Sequence, residues 1–196
     1  MGFAYVAPIG MQNLFVINAA LTKTRSQAFA TAIIVIFFDI TLALACFWWM
    51  GAVMQRHVLL QRLILLIGSL VVLYIGQGLL RAGAVEIERG SSPVSLAKTV
   101  SFACVVTWFN PQAVLDGTMM LGAFHAMLAE EGALPFISGV MTASVLWFLS
   151  LTAAVSLFSA GFGPKVLRFI NVVSGLVIVG YGCHLFLTGI MQLTGL

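Results

Sequence analysis

The stretch "APIGMQNLFV", residues 7–16, places Pro8, Gly10, Gln12 and Asn13 inside an otherwise apolar run. Proline removes a backbone donor and lipid solvates no amide, so an unbroken membrane helix is a poor home for this combination. The device recurs in "TWFNPQAVLDGTMMLG", residues 107–122, where Asn110, Pro111 and Gln112 stand together. Pro8 is followed five residues later by Asn13, and Pro111 five residues later by Asp116. Both stretches read as helices broken at Pro8, Gly10 and Pro111, and paired breaks in two halves point to a transporter's binding site. A proline kink alone would not need four amides beside it.

Around these stretches the composition is that of an integral membrane protein: of 196 residues, 61% are hydrophobic and 8% charged. The apolar runs are too long for barrel strands, which are short and alternate, so the fold class is all-α. A net charge of +3 without a Lys/Arg cluster excludes nucleic acid as a partner; lipid is the expected surrounding. Cys46, Cys104 and Cys183 are far apart in apolar runs and fit neither zinc nor redox spacing. They read as small apolar filler. No cofactor or metal motif is present, and none is expected. No secretory signal is visible. Met1 already lies in apolar sequence seven residues before Pro8, so either the start lies late or the first half-helix is short.

Hydropathy gives six spans, near residues 1–21, 27–53, 60–80, 97–124, 134–159 and 167–193. The whole chain, 1–196, reads as one transmembrane domain: a first repeat over about 1–80, a linker over about 81–96 and a second repeat over about 97–196. Lys23, Arg25, Arg81, Arg89, Lys98, Lys165 and Arg168 fall in the first, third and fifth connections; Arg56 and Arg62 fall on the other side. The positive-inside rule puts the first group in the cytoplasm and both termini outside. Trp48 and Trp49 then fit an outer interfacial belt.

Spans three and six match without gaps in "SLVVLYIGQGLL" (residues 69–80) and "GLVIVGYGCHLF" (residues 175–186). With three spans per copy, the copies face opposite ways, which is inverted-repeat architecture. The glycines of "YIGQG" and "GYGC" within them, Gly76, Gly78, Gly180 and Gly182, are expected to let helices approach closely.

The chain holds two aspartates, Asp39 and Asp116, both within spans, while all four glutamates fall in connections. A charge at membrane depth costs about 2.5–3.5 kcal/mol on insertion scales and marks pathways and relays. Neither aspartate has a basic residue nearby in its own span. Each is therefore expected to hold a proton or attract a cation, or else the two form a protonated pair that ties helices together. His184, Arg62, Tyr74, Gln77 and Tyr181 are weaker candidates.

"PIGMQNLFV", the "FFD" of span two and residues 107–122 resemble the LysE-type lysine/arginine exporters over essentially the whole chain. One departure is Met11, where the family's first motif has a second proline. The resemblance implies proton- or potential-driven export of basic amino acids across the bacterial inner membrane. It also singles out Asp116, because neutral-substrate relatives carry an apolar residue there; a carboxylate offsets a cationic side chain. Substrate contacts are then expected from Asp116, Asn110, Asn13, Gln12 and Asp39, with Asp39 also carrying the proton. The helix N-termini after Pro8 and Pro111 are expected to receive the substrate carboxylate. The competing readings are export of neutral amino acids or a divalent metal, and an intramembrane aspartyl protease. The protease is disfavoured, since Phe38-Asp39 and Leu115-Asp116 lack the Y-D and G-x-G-D flanks of such enzymes. The sequence leaves open lysine against arginine, the coupling ion and a homo-oligomer.

Overall fold

The computed structural model describes residues 5–6, 10–50, 58–81, 95–128, 130–158 and 164–194. Pro8 and nearly all of the linker lie outside the described residues. Among those described there are seven α-helices and no strand: α1 Met11–Thr22, α2 Arg25–Ala45, α3 Val58–Arg81, α4 Leu96–Trp108, α5 Pro111–Met127, α6 Glu130–Phe158 and α7 Pro164–Thr194. A π-turn, Cys46–Met50, prolongs α2. The stretches Arg25–Trp49 and Glu131–Leu157 are 25 and 27 residues long. At 1.5 Å per residue each runs about 37–40 Å, more than a bilayer's apolar core of about 30 Å.

The fourth span, expected over 97–124 with a break at Pro111, is two helices parted at that point. α4 stops at Trp108 and α5 starts at Pro111, with Asn110 extended between them (φ −84°, ψ 106°). Proline at the first helical position forfeits only a donor that would be unpaired anyway. The Asn110 side chain accepts from the Gln112 N–H at 3.2 Å and caps the new helix. The first span is interrupted likewise. Tyr5 and Val6 are helical, Gly10 is extended (φ −112°, ψ −172°), and α1 begins at Met11. Glu130 and Glu131, expected in a connection, instead open α6, where the positive helix end favours acids.

In lipid, small residues and buried polar contacts replace the hydrophobic drive between helices. α3 and α7 show this along an extensive antiparallel seam. A Cβ on Gly76 would lie 2.7 Å from Val179, one on Gly182 3.0 Å from Leu73, and one on Gly175 2.8 Å from Leu80. These glycines are what lets the backbones close. Gly78 and Gly180, expected to do the same, have nothing within 4 Å.

Three apolar clusters frame the interior. Val16, Val35, Ala103 and Phe148 join α1, α2, α4 and α6. Leu42, Phe47, Val114, Leu121 and Val140 join α2, its π-turn, α5 and α6. Met11, Val72, Val106 and Ile178 join α1, α3, α4 and α7. The two helix breaks lie where these clusters meet.

Candidate functional site

A small cavity opens at the two breaks. Tyr5, Gly10, Gln12, Asp39, Asn110, Gln112 and Asp116 line it, with Val6 and Ala113 as apolar wall. Gly10 and Asn110 cap α1 and α5, so two helix N-termini, each with partial positive charge, face one space. Two carboxylates face it as well. At about 40 Å³ the cavity holds roughly one water and not an amino acid.

Asp39 comes from the middle of α2 and is 3% exposed. Gln12 Nε2 donates to its Oδ1 at 3.2 Å, and Ser144 Oγ of α6 donates to its Oδ2 at 2.7 Å. Both oxygens are thus held from different helices, which is how a buried carboxyl avoids the cost of unmade hydrogen bonds. Asp116 lies on α5, hydrogen-bonded by the Gln112 side chain one turn earlier, and it is exposed. Each aspartate therefore meets a glutamine from the second residue of a helix that follows a break.

Asn13 sits elsewhere. It is buried, and its Oδ1 accepts from Trp147 Nε1 of α6 at 2.8 Å, which ties α1 to α6; it is not among the described residues that line the cavity. The expected substrate group divides accordingly: Gln12, Asp39, Asn110 and Asp116 share the cavity, and Asn13 braces the helix that carries Gln12. Pro111 is buried against α3, where a Cβ on Gly68 would lie 2.7 Å from its ring. The break is seated on a glycine from the other half of the chain.

Sequence reasoning missed Ser144, Trp147 and Tyr5. A serine or a tryptophan in an apolar helix is ordinary, and nothing local marks its partner. The three cysteines are free; Cys46 is buried, with its Sγ 2.8 Å from a Cβ built on Gly117.

The family model described as LysE type translocator matches residues 3–189. The arginine exporter protein ArgO of Pectobacterium carotovorum subsp. carotovorum is 29% identical over 190 residues, covering 94% of this chain and 92% of that protein. The protein of the same name from Pectobacterium atrosepticum is 28% identical with the same coverage. That of Salmonella enteritidis is 30% identical over 186 residues, 90% of this chain and 85% of its own length. No solved structure matches the chain.

Proposed function

The chain belongs to the LysE type translocator family, a family of transporters and not enzymes, and from that premise we propose that it exports cationic amino acids, arginine first. The observation that carries this reading is the single cavity in which two helix N-termini and two carboxylates converge. An α-carboxylate suits the N–H groups at Gly10 and Asn110, and a cationic side chain suits Asp116. The names of the relatives, arginine exporters, agree with that chemistry. Gln12, Asn110 and Gln112 supply polar contacts. Asp39, locked between Gln12 and Ser144, is the proton carrier, and the proton gradient or membrane potential drives export across the bacterial inner membrane.

The six spans form two inverted repeats. In the match of residues 69–80 with 175–186, Gly76 corresponds to Gly182 and Leu73 to Val179. The seam contact of Gly76 with Val179 then maps onto that of Gly182 with Leu73, as a two-fold axis through the seam requires. Asp39 and Ser144, bonded to each other, stand 105 residues apart, close to the spacing of the repeats. Rocking one repeat against the other would open the cavity, now too small for substrate, to either side. Arg25 and Lys98 mark the cytoplasmic face, with both termini outside. An impermeant thiol reagent should fail to label a cysteine placed in the linker of intact cells; labelling from outside would reverse the topology.

Counterflow in proteoliposomes tests the cargo. Labelled arginine should exchange against internal arginine, with lysine as the best competitor. Stronger competition by threonine would move the assignment to neutral amino acids, and by cadmium to metal.

A further inference from the structure

A second, larger cavity of about 290 Å³ lies between α1 and α4, flanked by Ile75 of α3 and Ile178 of α7. Its wall is mostly apolar, interrupted by Asn18 and Thr99, with Phe15 and Phe102 packed at 4.8 Å between ring centroids. Two lysines stand at its mouth: Lys23 at the end of α1, and Lys98 in the first turn of α4. Met11 and Val106 lie at its far end, beside the helix breaks. Lys23 and Met11 are twelve residues apart on one helix, or about 18 Å. A single leaflet's apolar layer is about 15 Å deep, half of the bilayer's core. The cavity thus runs from the membrane surface to mid-membrane, cationic at the surface and greasy below.

We propose that this cavity holds an anionic phospholipid, its phosphate between Lys23 and Lys98 and one acyl chain lying toward Met11 and Val106. Among the described residues, Lys23 Nζ donates to two neutral hydroxyls, Thr31 at 3.3 Å and Thr99 at 3.4 Å, and lies over the Phe15 ring at 5.9 Å, contacts that bring it no negative charge. Burial holds its ammonium below the ordinary lysine value, so an anion at this position gains from a charge the protein alone solvates poorly. Paired lysines between helices at the membrane surface match a lipid phosphate. The transported cation is the wrong occupant, since both lysines repel it. The site is separate from the carboxylate cavity and does not depend on which amino acid is carried.

The test uses the full chain purified in detergent and titrated with phosphatidylglycerol or phosphatidylcholine, with bound lipid counted by native mass spectrometry. The parent should retain phosphatidylglycerol preferentially. Neutralising one lysine, Lys23→Gln or Lys98→Gln, should weaken that retention about five-fold, and both together about twenty-five-fold, with phosphatidylcholine unchanged. Lys23→Arg with Lys98→Arg should keep the preference, which separates charge from folding. Equal retention by the parent and the double Gln variant would overturn the proposal. So would displacement of the lipid by excess arginine, which would make the cavity part of the amino-acid path, or by inorganic phosphate, which would make it a plain anion site.

Discussion

The break before α1 and the break before α5 use one device and reach different ends. Each is followed by a helix whose second residue is a glutamine, and each glutamine holds an aspartate. Gln12 reaches across to α2 and, with Ser144, locks Asp39 between three helices. Gln112 reaches along its own helix to Asp116, which stays exposed. The caps differ in the same sense. Asn110 closes its break with a side-chain hydrogen bond, whereas Gly10 makes none. One carboxylate is thus buried and held from two neighbouring helices, and the other is exposed and held from its own. Two acids in one cavity need not share a role.

The strongest way to break this contrast is at the exposed carboxylate. Asp116→Asn keeps size and hydrogen bonding but removes the charge. The loss of a charge-assisted bond, about 1.5–3 kcal/mol, should weaken arginine binding ten-fold or more in an equilibrium titration. Unchanged affinity would end the assignment of Asp116 to the cationic side chain.

Asp39→Asn should act the other way round. It retains an acceptor for Ser144 or Gln12 but carries no titratable proton. Arginine binding should suffer less than pH-driven flux, measured on the same preparation across pH. Equal loss of both would place Asp39 in direct contact with substrate.

Ser144→Ala sharpens the comparison at the buried end. It leaves Asp39 with one of its two side-chain partners. A hydrogen bond to a charged group is worth about 1.5–3 kcal/mol, and the retained Gln12 contact and local water place the expected destabilisation near the low end of that range. Thermal unfolding in detergent reads it. A melting temperature equal to the parent's would show that Asp39 is not held from α6.

The smallest effects belong to the caps. Asn110→Ala should cost about 1 kcal/mol, and Gly10→Asn should gain a few tenths, because glycine is already a tolerable cap. If Gly10→Asn stabilises the protein yet slows export, the uncapped break is needed for movement.

The second break was legible in the sequence because asparagine, proline and glutamine side by side are costly in an unbroken apolar helix, and α4 and α5 part at that point. Asp39 and Asp116 were legible as costly charges, and Gln12 and Asn110 as amides beside a break. Ser144 and Trp147 were not: their importance lies in partners 105 and 134 residues away, and no local period encodes such a distance. Asn13 shows the same limit from the other side. Its residue type marks it as a polar group beside the break, while the tryptophan of α6 that donates to it leaves no local signal. The glycines split for that reason too, since Gly76 and Gly78 share a segment and only one faces α7.

The seat of Pro111 on Gly68 has a consequence for how such a chain can vary over time. The two positions come from opposite halves, yet the ring of one occupies the space a side chain on the other would fill. Position 68 cannot gain a side chain while the ring is in place. A larger residue at 68 is admissible only in a lineage that has already lost the proline, and the proline persists only where 68 is bare. Across many descendants of this chain the pair should be inherited as one character.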